Sequence, residues 1–518
     1  MKKSIRILVL ALATVFLFSS LAACSGTGKD AAGRAQDTII YAQGADPRGL
    51  DPALVDDGES AKVMVNIYEG LLKYNKDSTD VEPSLAESWD VSTDGLTYTF
   101  HLKKGVKFQD GTDFNAEAVK FNIDRQLAPK VTEDMGYAGF VFGSVKDVEV
   151  IDDNTVKINM TSPSTPFLNN LAMCLAAPIV SPKALQDNNN NVNENPVGTG
   201  PYTFVSWTKG QNIVLKRNDT YWGTKALTKN VIFKFISDNS ARVVALNNGE
   251  ADIIDGIDAT VVKQIEDEGN KIYTAPGMNV NYMAFNTTVA PFNDAKVRTA
   301  ISQAINVPEL VKSLYQGYAE AATSILPTFM PGYDKSIAQV AFDQAAAKAT
   351  LASAGVTKLH IITYTNPRPY NTANGQALSE AIQGYLKNVG VEATIDAFDW
   401  TTYKEKVKAG DFDICFYGWI GDNGDPDNFM NLLADSDPTM NVARYDNADF
   451  KALISKGLTT PSGNERNKVY TDLEKMAASD AVWLPISHAT TLVGYRSNVK
   501  DFNYHMTGVV FLSNAVKN

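Results

Sequence analysis

Between residues 344 and 416 the chain alternates twice between a helix-length apolar pattern and a short apolar run. No other feature constrains the fold as much. Gln344 to Ala354 and Ala377 to Val389 carry apolar residues at helical spacing, and each runs into a glycine, Gly355 and Gly390. Glycine is favoured just past a helix end because it takes the left-handed conformation without strain. Strand-like runs follow both, Leu359–Tyr364 and Glu392–Ala397, with a third at Asp413–Phe416. Helix then strand, repeated, is βαβ grammar and predicts an α/β fold with a partly parallel sheet. No internal repeat at a fixed period accompanies it.

The rest of the chain adds strands more than helices. Thr38–Tyr41, Thr97–Leu102, Tyr202–Trp207, Ile213–Lys216 and Val231–Ile236 read as strands, and Asp152-Asp153-Asn154 turns a hairpin between Val145–Ile151 and Thr155–Met160. Val63, Ile67, Leu71 and Leu72 predict a helix over 61–74. Further helices are expected from Asn115, over 241–246, and as one amphipathic stretch over 294–315. Asp187 to Asn191 reads as a polar loop. At 518 residues the chain exceeds what one core holds, so two or three domains are expected. Its 44% hydrophobic content is that of an ordinary globular protein, and a net charge of −12 argues against nucleic acid as a partner.

Lys2, Lys3 and Arg6 precede an apolar and small-residue run from Ile7 to Phe18, then Leu21-Ala22-Ala23-Cys24. Basic start, apolar middle and small residues before a cut make a secretory signal, and the run is shorter than the ~20 residues of a spanning helix. The last four residues resemble the lipobox of bacterial lipoproteins. That resemblance implies cleavage after residue 23 and lipid on Cys24, tethering an exported protein to the outer face of the cytoplasmic membrane. Residues 24–37 are small and polar and read as a flexible leash. Cys174 and Cys415 sit in apolar runs and read as buried small hydrophobes, with no disulfide expected.

Catalytic and metal signatures are missing. His101, His360, His488 and His505 have no metal-ligand spacing, and no nucleophile elbow, phosphate loop or dinucleotide fingerprint occurs. The acidic run Asp422-Asn423-Gly424-Asp425-Pro426-Asp427 lacks the residue order of a calcium loop, and Pro426 interrupts it. No cofactor and no metal are expected. A hydrolase using two carboxylates stays open as an alternative, since the chain carries 59 acids.

Several segments, in order along the chain, carry a family resemblance. They are Pro83-Ser84-Leu85-Ala86-Glu87-Ser88-Trp89, Asp94 through Phe108, Asn195-Pro196-Val197-Gly198-Thr199-Gly200-Pro201-Tyr202, Tyr221-Trp222-Gly223, Asn293 through Arg298, and Gly418 through Phe429. Together they resemble the bacterial peptide-binding lipoproteins of ABC importers, solute-binding protein family 5, and the last segment is most similar to the dipeptide-binding branch. The resemblance implies a two-lobe, periplasmic-binding-protein-like α/β fold with an extra subdomain in lobe I and ligand enclosed between the lobes. Lobe I would span 38–281, with the inserted subdomain at about 69–196, and would regain the chain at 487–518. Lobe II would span 282–486. Hinge crossings are expected near Pro276–Asn286 and His488–Tyr495.

The implied function is capture of short peptides, most simply dipeptides, and delivery to ABC permease subunits by a monomer without catalysis. In the family's dipeptide branch an aspartate of the Gly-Asp-Asn-Gly-Asp-Pro segment meets the ligand ammonium and an arginine of an Arg-Pro-Tyr segment meets its carboxylate. The matching positions are Asp422, beside Gly421, and Arg368, 54 positions apart. A dipeptide's ends lie only ~7 Å apart. One anion and one cation at that spacing recognise it whatever its side chains. The planar guanidinium suits a carboxylate because it donates two parallel hydrogen bonds. Tyr370 and Trp419 are expected against the ligand or in the core, and Gly58 in a turn offering backbone groups. Asp422 also lies where carboxylates commonly bond their own turn. Other cargo on the same fold would be a longer peptide, haem, a nickel chelate or an oligosaccharide.

Overall fold

A computed structural model describes residues 36–518. The signal, Cys24 and nearly all of the leash lie outside the described residues. Among the described residues no helix is long and apolar enough to cross a membrane.

The predicted βαβ region forms as expected. Asp343 caps the helix Gln344–Ser353 by accepting from the Ala346 N–H, and Asn374 caps Gly375–Asn388 through the Ala377 N–H. Both chains leave their helices through left-handed glycines, Gly355 at φ 69° and Gly390 at φ 86°. The strands Lys358–Tyr364 and Glu392–Phe398 then pair in parallel along their whole length, and Ile414–Ile420 joins the first in parallel at Ile361 and Ile362.

These strands lie at one end of a twelve-stranded sheet. Its path runs Glu392–Phe398, Lys358–Tyr364, Ile414–Ile420, Asn279–Phe285, Trp483–Tyr495, Ile253–Ile254, Thr38–Gln43, Asn230–Phe235, Asn212–Arg217, Tyr202–Thr208. Trp483–Tyr495 belongs to both ends. Its first residues, Trp483 to Ser487, pair with Asn279–Phe285, whereas Thr490 to Tyr495 pair with Lys271–Pro276. The hydrophobic interior divides at the same place. One core draws its buried residues from Met278 to Ile486; the others combine Ile39 to Ile265 with residues from Leu492 to Ala515. The result is a two-lobe α/β molecule. A separate four-stranded antiparallel sheet, Ala86–Val91, Thr97–Leu102, Thr155–Met160 and Val145–Asp152, packs into the first lobe and contains the predicted hairpin.

Two helix expectations need correction. The helix predicted over 61–74 is confined to Gly58–Met64, and Leu72–Tyr74 is a strand. The carbonyls that would propagate it are taken by another segment: Asn66 O accepts from the Tyr202 N–H at 3.0 Å and Ile67 O from the Gly200 N–H at 2.9 Å. Tertiary bonding overrides the helical period. The stretch 294–315 is two helices, Ala295–Gln303 and Val307–Tyr315. Pro308 has no N–H to continue the first helix, and Asn306 caps a second by accepting from the Glu309 N–H.

Candidate functional site

The strand Ile414–Ile420 has one edge fully paired and the other mostly open. It pairs with Asn279–Phe285 at all seven residues, but with Lys358–Tyr364 only at Ile414 and Cys415. Beyond Tyr364 the neighbouring chain leaves the sheet and turns at Arg368-Pro369-Tyr370-Asn371. Main-chain bonds close that turn from Arg368 N–H to Asn371 O (3.0 Å) and from Asn371 N–H to Arg368 O (2.8 Å). The Asn371 side chain fixes it from beneath, donating to the Tyr364 hydroxyl (2.9 Å) and accepting from the Tyr315 hydroxyl (2.7 Å).

This turn brings Tyr370 and Arg368 to the strand. The buried Tyr370 ring lies against Gly418 so closely that a Cβ there would sit 2.2 Å from a ring carbon. Burial raises the Tyr370 hydroxyl above its ordinary pKa, and the hydroxyl has no partner. The Arg368 guanidinium stacks on Trp400, 4.0 Å from the ring centroid, and its buried Nε has no partner. Among the described residues no carboxylate lies within ion-pair distance of it. An arginine held by an aromatic face keeps N–H groups that can donate to an anion.

Asp422 lies past the other end of the strand. Gly421 makes the exit: its N–H donates to Met278 O at 2.7 Å, and a Cβ would come within 2.7 Å of the Phe429 ring and 2.8 Å of Met278. Asn428 then organises the loop. Its Oδ1 accepts from the Asp422 N–H (3.0 Å) and the Trp419 indole N–H (2.8 Å), while its Nδ2 donates to Asp422 Oδ2 (3.1 Å). From the first lobe the Tyr137 hydroxyl donates to Asp422 Oδ1 at 2.7 Å. Burial pushes the Asp422 carboxyl above its ordinary pKa, opposed by the bonds from Tyr137 and Asn428. The next residues also cross between lobes: Asn423 O accepts from Tyr74 and Asn169, and Asn423 Nδ2 donates to Asn170 Oδ1 at 2.7 Å.

Of the remaining acids of the loop, Asp425 has structural work. Asp425 accepts two hydrogen bonds from the buried guanidinium of Arg466, at 2.7 and 2.8 Å. Burial and the neighbouring Asp425 lift Asp427 to about 7. Among the described residues no cluster of three or more histidines, cysteines or carboxylates could hold a metal ion.

A cavity of about 480 Å³ opens beside Asp422 and is lined by Gly58, Gly421 and Asp422 among others. Gly58 begins the helix Gly58–Met64, capped by Asp57. Trp419 lies on the far side of the Tyr137–Asp422 contact, in a smaller cavity of about 250 Å³. Arg368 and Tyr370 line neither. Cys174 is partly buried, packed against the first lobe's core while lining the main cavity, Cys415 is buried, and both are free thiols. Sequence reasoning missed Tyr137, Trp400 and Asn428. Nothing marks the first two as site residues, while Asn428 stands six residues beyond Asp422 in the same segment.

Residues 80–441 match the family model described as bacterial extracellular solute-binding proteins, family 5 Middle. The chain is 32% identical to heme-binding protein A of Haemophilus influenzae, covering 96% of both chains. It is 33% identical to the dipeptide-binding protein of Escherichia coli K12, covering 90% of this chain and 92% of that one. Among solved structures it is similar to the ABC transporter-associated periplasmic binding protein DppA from Helicobacter pylori in complex with peptide STSA. That likeness has a TM-score of 0.76 and 31% identity, and covers 94% of this chain and 99% of that one.

Proposed function

We propose that this chain, which belongs to the bacterial extracellular solute-binding proteins of family 5, captures short peptides by their charged ends, dipeptides foremost, and releases them to the permease of an ABC importer. One observation carries the reading. Arg368 and Asp422, an unpaired cation and a carboxylate, flank the open edge of the strand Ile414–Ile420. An extended peptide can lie along such an edge with its carboxylate toward Arg368 and its ammonium toward Asp422. The reading needs no covalent step. The lobes would close by bending where Trp483–Tyr495 exchanges partners, near Gly277 and His488, and the closed form would be what the permease meets. Cys24 would carry the lipid that holds the protein at the outer face of the cytoplasmic membrane, and the protein would act as a monomer.

Similarity to a haem-binding relative favours a second cargo. Against it, the one histidine that lines the main cavity is engaged at both ring nitrogens. His505 Nδ1 lies 2.8 Å from Thr507 Oγ1, and Nε2 lies 3.0 Å from Ser78 O and 3.1 Å from Asn75 O. The deciding experiment incubates the protein with a mixture of di-, tri- and tetrapeptides plus hemin and identifies what co-purifies by mass spectrometry. Intact dipeptides are expected. Hemin alone would replace the reading by haem transport, and shortened peptides would replace it by hydrolysis.

A further inference from the structure

Away from the strands that join the lobes, the hydrogen bonds between lobes share one origin. Among the described residues, all of them come from the first lobe between Tyr74 and Asn170, the region that carries the four-stranded sheet. One of these contacts stands apart from the cargo site. Thr165 lines neither the 480 Å³ cavity nor the 250 Å³ cavity. Its main-chain N–H nevertheless donates to Leu458 O at 2.8 Å, and its hydroxyl donates to Thr460 O at 2.7 Å.

The helix Ala448–Thr459 shows what Thr165 supplies. The last carbonyls of a helix have no donor within it. Pro461 has no N–H to offer Gly457 O, which takes the Nε–H of Arg466 instead (2.7 Å). Leu458 O and Thr460 O are met from the opposite lobe, so Thr165 caps this helix across the cleft. Arg466 also holds Asp425, which ties the helix end and the loop after Asp422 into one face. Close to Thr165 in sequence, Asn169 and Asn170 bond Asn423 of that loop. Thr79 fills the space a Cβ on Gly424 would need, only 2.2 Å away. The segment is anchored in its own lobe. The Tyr98 hydroxyl donates to Ser164 O at 3.0 Å, and the Tyr98 ring meets Phe167 edge-on with centroids 5.0 Å apart.

Building on the lobe closure of the peptide reading, we propose that the segment 165–170 is a latch that sets how long the lobes stay closed, whatever the cargo. Opening takes the Thr165 donors away from two helix carbonyls and parts Asn423 from Asn169 and Asn170. Thr165 is a positioning residue: it acts on affinity through the closed state alone. A cargo contact discriminates among ligands, whereas a latch scales all of them alike.

Release kinetics of Ala-Ala, Ala-Phe and Ala-Phe amide from the full chain test this. Thr165→Val removes the hydroxyl donor and keeps the N–H and the shape. It should raise the release rate and Kd about 2- to 10-fold, by one factor for all three ligands, with the melting temperature of the free protein unchanged. Thr165→Ser, which keeps both donors, should release at the wild-type rate. Wild-type release of all three from Thr165→Val would overturn the latch while leaving peptide binding intact. A loss confined to one ligand would overturn it too, by making Thr165 a cargo contact. If hemin alone binds, the peptide reading falls, and hemin release from the same two variants decides the latch.

Discussion

At the scale of single residues, the two members of the proposed recognition pair have opposite relations to their surroundings. Asp422 is held by hydrogen bonds from both lobes, and burial makes its ionised form costly, so its carboxyl titrates above the ordinary carboxylate range. With the ammonium bound that cost is offset; without it, Asp422 protonates more readily as pH falls. Peptide affinity should therefore drop on acidification at a pH above that of an ordinary aspartate, as calorimetry between neutral and mildly acidic pH would register. Asp422→Asn should fold normally, because removing a buried charge relieves desolvation. It should lose about 2–5 kcal/mol of peptide binding, and the acid dependence with it. Unchanged affinity for Ala-Ala would remove Asp422 from the site. Arg368 is unpaired and rests on Trp400, so its contribution should depend on the free carboxylate. Amidating the C-terminus of Ala-Phe should cost about 2–5 kcal/mol in the wild type, and Arg368→Ala should bring acid and amide close together. If wild type binds Ala-Phe, its amide and Ala-Phe-Ala equally, the carboxylate lies elsewhere.

At the scale of elements, the site depends on where the strand Ile414–Ile420 is left unpaired, and Tyr370 against Gly418 sets the spacing of the turn beside it. Gly418→Ala would drive a methyl into the Tyr370 ring. It should lower stability by about 1–3 kcal/mol, a typical cost of overpacking, and blunt the preference for acid over amide by displacing the Arg368 turn. Thermal denaturation and paired titrations would read both effects. This is also where the sequence was legible and where it stopped being so. The helices ending at Gly355 and Gly390 and the strands after them follow from period and punctuation alone. Arg368 and Asp422 were placed by family motifs. The contraction of the 61–74 helix was not readable, because the donors that intercept its carbonyls come from Gly200 and Tyr202, over 130 residues away. Tyr137 was hidden for the same reason: its partner Asp422 is 285 positions distant, and a tyrosine beside Phe140 reads as core.

At the scale of the whole molecule, the proposed lipid tether and the lobe architecture yield separate expectations. Cys24→Ser should release the protein from membranes, since no thioether-linked lipid can form; persistence in the membrane pellet after alkaline washing would mean the anchor lies elsewhere. The sheet that spans both lobes has a less obvious implication. Residues of the first lobe's core come from both ends of the described chain: Asn66 Nδ2 donates to Val510 O at 3.0 Å, the Tyr202 hydroxyl to Leu512 O at 3.2 Å, and Val493, Tyr504, Leu512 and Ala515 are buried in that interior. The second core is built from one continuous stretch, Met278 to Ile486. The lobe that emerges first during synthesis is thus the one that finishes last. Removing residues 493–518 should abolish protease resistance in the first lobe while leaving a stable fragment within about 278–486. The first lobe is therefore held open until residues 493–518 have been made, so the two lobes are completed in the reverse of the order in which they begin.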